Sequence, residues 1–210
     1  MLRPRLRESI AHVGLALREP EQFAVRWERG EANYVWWVWV ALAVTAIIGT
    51  TTYGMTMGIL GGAGSVLSKG MYCTAAAGLA WSIPLPALYV LNSLSGARLR
   101  LSTTFLAALI TTSWGGLAMI ASIPINWFFS VALSEVVPPI AGTIWVTRLV
   151  LLVNFTVFAG VGVAMVDVFG RVMQAAEPRH GRRPIWWLAV VGAIGGELFY
   201  AFGLFQFSFA

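Results

Sequence analysis

An acid and a base stand inside stretches of sequence that are otherwise apolar. Glu197 lies in AVVGAIGGELFYAFG, and Arg148 lies in GTIWVTRLVLLVNF. A charged side chain in hydrocarbon is costly, so such a residue marks a site or a partner. Glu197 falls about ten residues past Trp186 and Trp187, roughly 15 Å into a bilayer at ~1.5 Å per residue. Arg148 falls about six residues into its own span, roughly 9 Å deep. The two depths differ by less than an arginine's reach, which predicts an intramembrane ion pair. Such a pair either fixes the register of two helices or forms a substrate or proton site. Asn92, Asn154 and the cluster Thr111, Thr112, Ser113 add uncharged polar groups. They could line a path, but groups of this kind more often join helices through hydrogen bonds of ~0.6–2 kcal/mol each. Asp167 has Arg171 four residues on, the spacing of a helical ion pair.

Other chemistries lack their residues. The histidines, His12 and His180, both fall outside the apolar stretches. That removes a bis-histidine haem and a histidine base for a serine nucleophile. No H-E-x-x-H occurs. The run GILGGAGSVLSKG at 58–70 is glycine-rich but lacks the phosphate-loop spacing of glycine and lysine. The one cysteine, Cys73, cannot form an internal disulfide or a thiolate metal site. The expectation is a chain with no enzyme activity, no cofactor and no metal.

The elements that must position these residues are membrane helices. The chain is 58% hydrophobic and 11% charged, against about 25% charged in a soluble domain. Its apolar residues come in blocks near the ~20 that cross a bilayer. The expected fold class is an all-α integral membrane protein with five transmembrane helices, at about 35–57, 71–94, 103–125, 142–166 and 185–207. Residues 1–30 form a separate basic segment, and 31–210 form the membrane domain. Pro84 and Pro86 should kink the second span. Its freed carbonyls should find partners inside the bundle, Arg148 among them. Gly54 and Gly58, and again Gly192 and Gly196, form small-xxx-small pairs that admit a neighbouring helix. The run at 58–70 reads as a short outer loop. Residues 126–141 read as another, with a short interfacial helix.

Charge sets the expected orientation. With the N-terminus inside, twelve of the fourteen Lys and Arg residues fall on the inner side. Only Lys69 and Arg148 fall on the outer half. Basic residues stay on the cytoplasmic side of spans, so the rule gives N-inside and C-outside. The net charge of +5 therefore reports topology rather than nucleic-acid binding. In residues 1–30, Leu2, Leu6, Ile10, Val13 and Leu17 recur at helical spacing, with Arg3, Arg7 and Arg18 off that stripe. This is the pattern of an amphipathic helix lying on the membrane surface, against anionic lipid headgroups. The segment has no apolar signal-peptide core, so the first span is expected to serve as the targeting signal.

The chain has the entry Glu19-Pro20-Glu21-Gln22-Phe23, a small-residue first span, the inner turn Leu94-Ser95-Gly96-Ala97-Arg98-Leu99-Arg100-Leu101-Ser102 leading into the third span, and final spans that follow from a cytoplasmic N-terminus. In this layout it resembles the Yip1 family of small five-span membrane proteins. The resemblance implies a non-enzymatic role and supplies no catalytic residue. The arginine-rich, lysine-poor composition points to a bacterial member in the cytoplasmic (inner) membrane. The function expected from the whole chain is a scaffold, adaptor or assembly factor that binds lipid and either itself or another membrane protein. The alternatives are a subunit of an oligomeric transporter or channel, and an accessory subunit of a membrane enzyme complex.

Overall fold

The computed structural model describes residues 11–31, 36–94, 100–132, 142–177 and 185–205, and these are helix and short turns without a strand. Residues 11–18 form α1. It is followed by α2 (Pro20–Glu28), α3 (Trp36–Met57), α4 (Gly62–Ser82), α5 (Leu85–Leu94), α6 (Leu101–Trp127), α7 (Gly142–Ala176) and α8 (Ile185–Ala201).

Four helical stretches are long and apolar enough to cross a membrane: Trp36–Met57, Gly62–Val90, Leu101–Val131 and Arg148–Ala176. The protein is therefore an all-helical chain of the membrane type. The fifth expected span is a 17-residue helix, α8. At 1.5 Å per residue it is about 25 Å long, less than the ~30 Å of a hydrocarbon core. Its end has a local cause. Gly203 takes φ +65°, and the Gly203 and Leu204 amides bond back to the Tyr200 and Phe199 carbonyls. Leu204 is fully buried against the bundle. This is a Schellman end, which closes a helix with one left-handed residue and one apolar contact. Residues 206–210, where the expected fifth span finished, lie outside the described residues.

The order of packing follows the small residues. α3 and α6 form the central pair, α4 lies on α3, α7 lies on α6, and α8 lies on α4. A Cβ added to Gly49 of α3 would come 2.3 Å from the Gly116 carbonyl oxygen of α6. No side chain fits there, so the two backbones touch. Between α3 and α4, Gly54 faces the Cys73 Cβ and Gly70 faces Met55. Ser113 of α6 donates to the Leu42 carbonyl of α3 at 2.7 Å, and Thr51 and Thr74 join α3 to α4 at 2.7 Å. Small residues thus bring the helices close, and hydroxyls then bridge them.

Two boundaries differ from expectation. Most of the glycine-rich stretch at 58–70 is not a loop. Ile59–Gly61 is a single tight turn, and α4 already starts at Gly62. Gly62 makes this possible, with φ +80° and ψ 178°, a conformation open essentially to glycine alone. Gly58 lies against the backbone of Ser65 and Val66, which closes the hairpin. At the other boundary, α7 runs ten residues past the expected 166.

The proline break lies where the sequence placed it, but its surroundings differ. Ile83 and Pro84 form a turn between α4 and α5, with Pro84 buried and Pro86 exposed. Pro86 is the second residue of α5, where a missing N–H costs nothing. Trp81 at this break packs on Phe169 of α7, 5.4 Å between ring centroids.

Among the described residues the N-terminal helices turn apolar side chains into the bundle, while Leu2, Leu6 and Ile10 of the expected stripe lie outside the described residues. Ala16, Phe23 and Ala24 are buried, with Phe23 and Ala16 in one cluster with Val38, Leu42, Leu106 and Ile110. Polar bonds hold α2 on both sides. Glu28 accepts from the Thr103 hydroxyl near the start of α6, and Trp27 Nε1 donates to Ser102 at 3.3 Å. On the α7 side Arg171 bridges Glu21 and its own Asp167, the latter at 2.9 Å. For Val13, Ala16 and Phe23 the bundle is an apolar partner.

Candidate functional site

The most polar place inside the bundle is built by three helices. Tyr53 and Thr56 sit near the end of α3, Asn126 near the end of α6, and Asn154 one-third of the way along α7. Helical spacing puts Tyr53 and Thr56 on one face, three residues apart. The turn after α6 widens to a π-type turn over Phe128–Ala132, and this places Ser130 one turn above Asn126.

The bonds run in one direction around a closed ring. Tyr53 Oη donates to Asn154 Oδ1 at 2.9 Å. Asn154 Nδ2 donates to Asn126 Oδ1 at 3.0 Å and to the Val150 carbonyl at 2.8 Å. Asn126 Nδ2 donates to Thr56 Oγ1 at 2.8 Å, and Thr56 donates to the Tyr53 carbonyl at 2.6 Å. Ser130 donates to Asn126 Oδ1 at 3.2 Å. The sense of the ring is fixed by the Val150 carbonyl, which only accepts, so Asn154 must turn its amide nitrogen toward it. Asn126 and Asn154 are both fully buried. Among the described residues, no buried side-chain nitrogen or oxygen lacks a partner. A ring in which each buried polar atom already has a partner is suited to holding helices together.

Rings continue the contact below the polar ring. Tyr53 meets Phe158 edge-on at 5.4 Å, and Phe158 meets Phe199 at 4.3 Å. The chain thus passes from α3 through α7 to α8.

These same rings decide the fate of the expected ion pair. Phe158 faces Phe199, and Phe155 faces Phe205 at 6.3 Å, so α7 and α8 run antiparallel. Glu197 is then level with about residue 160 of α7, and Arg148 lies about twelve residues, or roughly 18 Å, farther along the axis. No arginine spans that. The Arg148–Glu197 pair does not form, whereas Arg171 pairs with Glu21 and Asp167. Arg148 instead lies over the Trp145 ring, 5.7 Å from its centroid. It does not reach the proline break either, which packs near Phe169, at the other end of α7. Depth counted from each helix end does not give the relative level of two helices of unequal length. The first turns of α7 rise past the end of α8.

No protein-family model, curated protein or solved structure matches this chain.

The other sequence candidates divide. Asn154 is in the ring, and Gly54 and Gly58 are packed against α4. Gly192 and Gly196 are not packing residues within the chain; an added Cβ at either would meet nothing within 4 Å. Gly195 takes that role, with its Cβ position 3.6 Å from Ala80. Asn92 lies in α5, and its side chain is outside the described residues. Sequence reading missed Tyr53, Asn126 and Gly49. Asn126 was legible only as an end marker after Pro124, and nothing in the sequence pairs it with Asn154. No group of three or more His, Cys, Asp or Glu among the described residues could hold a metal ion.

Proposed function

We propose that this chain is a non-enzymatic membrane scaffold or assembly factor that works through helix–helix and lipid contacts. The observation that carries this reading is the closed ring of Tyr53, Asn154, Asn126 and Thr56, in which buried polarity is spent on joining helices. In this reading α8 is a fifth crossing, the N-terminus is cytoplasmic and the C-terminus is outside. The membrane is the bacterial cytoplasmic one, and the layout is that of a Yip1-like protein. Arg18, Arg26, Arg29 and Arg100 are exposed at one end of the bundle. They provide the contact with anionic headgroups at the inner surface.

Purification in mild detergent, with identification of everything that co-purifies, tests the reading. A stable complex with itself or another membrane protein is the expected result. A monomer that retains a small solute or conducts ions in vesicles would replace it with the transporter reading.

A further inference from the structure

The levels of the helices reverse the expected depths of two charged sites on α7. Gly49 of α3 meets Gly116 of α6, and Gly115 of α6 meets Met165 of α7. The bonds of Asn126 with Thr56 and Asn154 then show α3 and α6 running in one sense and α7 against them. Counted from these contacts, Trp36 and Trp39 at the start of α3 are level with about residues 174–177 of α7, and Met57 with about 153–156. The 22 residues of α3 rise roughly 33 Å, close to the thickness of a hydrocarbon core, and its first tryptophans suit the headgroup layer. The first turns of α7, with Arg148, therefore project past the end of α3. Asp167 lies roughly 10–15 Å inside the tryptophan belt, and Arg171 roughly 5–9 Å inside it.

Both side chains face out of the bundle. Arg171 joins Asp167 at 2.9 Å and also bonds Glu21 of α2. The Asp167 side chain is 53% exposed and that of Arg171 43%. A charged group inside a membrane faces the bundle interior or a water-filled cavity, and these two are not interior. An arginine's long stem can carry its charge toward the surface. The carboxylate of an aspartate stands one methylene from the backbone and cannot follow, so water must come to Asp167. The exposed face of α7 marks how far it comes. At helical spacing that face reads Gln174, Arg171, Asp167 and then Val163, so its polar part ends at Asp167. α2 forms a second wall, with Glu21 partly exposed and Phe23 and Ala24 buried.

We propose that Glu21, Arg171 and Asp167 line a water-filled notch that opens on the side where α3 begins, ends at Asp167, and admits cations in preference to anions. Two carboxylates face one guanidinium, so the wall carries net negative charge, and its low-dielectric surround concentrates counter-ions there. The notch goes beyond the scaffold reading and does not depend on it. Asn154 is thirteen residues farther along α7, roughly 20 Å, so a wet notch and a dry polar ring belong to opposite halves of one helix.

The test uses the full chain in liposomes with Cys73 replaced by Ala and a membrane-impermeant cationic methanethiosulfonate supplied on both sides. Gln174→Cys and Asp167→Cys should be modified at similar rates. Val163→Cys, exposed one turn farther along, should react about a hundredfold more slowly, because its surroundings are hydrocarbon. Gln174→Cys leaves the three charged residues whole. It should react about threefold faster with the cationic reagent than with an anionic one of equal size, and Asp167→Asn should remove that preference. Should Asp167→Cys lower the melting temperature of the helical signal, the parent protein replaces it. A water-soluble carbodiimide with an added amine should then modify Asp167 as well as the exposed Glu31, read by peptide mass. Modification of Asp167→Cys as slow as that of Val163→Cys, or of Glu31 without Asp167, overturns the notch. So does Val163→Cys reacting as fast as Gln174→Cys, which would leave the notch without an end. Equal rates for the two reagents at Gln174→Cys overturn its preference for cations. Each of these results leaves the scaffold reading standing, since co-purification tests that separately.

Discussion

The side chains that carry most weight here are two asparagines that no charge count would find. Asn154 uses both amide hydrogens and its carbonyl, and Asn126 accepts two bonds while giving one. Replacing Asn154 with Leu leaves the Tyr53 hydroxyl and one side of Asn126 without partners. Each such loss costs ~1–3 kcal/mol in a buried place. Asn154→Leu should therefore lower unfolding free energy by about 2 kcal/mol, and Tyr53→Phe by about 1, because it removes one bond and keeps the ring. Reversible unfolding in mixed detergent measures both. Asn154 was legible as a polar residue within a span. Its partners were not, because a hydrogen bond between residues 101 or 28 positions apart leaves no local periodicity.

At the scale of elements, the sequence reported composition well and distances poorly. Span positions follow from runs of apolar residues, and the first four were legible for that reason. Helix ends depend on single backbone conformations. The Gly62 turn starts α4 early, and the Gly203 turn ends α8 early. The level of one helix against another is set by side-chain contacts such as Phe158 on Phe199, and these place Arg148 well past Glu197. The glycines show the same limit. Gly54 and Gly192 look alike in sequence, each followed four residues later by another glycine. Only the first of these pairs packs within the chain. Gly49→Leu should prevent the α3–α6 contact and abolish stable folding, whereas Gly192→Leu should leave the monomer's thermal stability unchanged. Thermal unfolding of the two variants checks the contrast. Gly203→Ala should cost about 1 kcal/mol, since a Cβ is unfavourable at a left-handed φ. The same unfolding measurement reads it.

At the scale of the whole molecule, the N-terminal helices are part of the bundle's end rather than a free arm. Phe23 is buried, and Glu21 and Glu28 hold α2 to α7 and α6. Exposed ion pairs contribute only ~0–1 kcal/mol, so the apolar contact should dominate. Phe23→Ala should weaken docking by about 3 kcal/mol or more, and limited trypsin digestion should then cleave at Arg18, Arg26 and Arg29 much faster than in the parent protein. Arg171→Ala should change that rate far less. Arg18, Arg26 and Arg100 on this end are exposed while Ala16, Phe23 and Ala24 are turned inward. That division was hidden in the sequence, where one amphipathic stripe suits a lipid surface and a protein surface equally well.

A bundle whose buried polar groups serve to join helices keeps those groups dry and committed to one another. Thiol labelling tests this most directly. With Cys73 replaced by Ala, Thr56→Cys puts a small thiol into the ring, and Ala63→Cys puts one at the exposed start of α4. In vesicles opened to both sides, a charged water-soluble thiol reagent should modify Ala63→Cys within minutes and leave Thr56→Cys unmodified. Modification of Thr56→Cys at a comparable rate would mean that water reaches the ring. It would contradict a bundle whose polar core serves only to join helices.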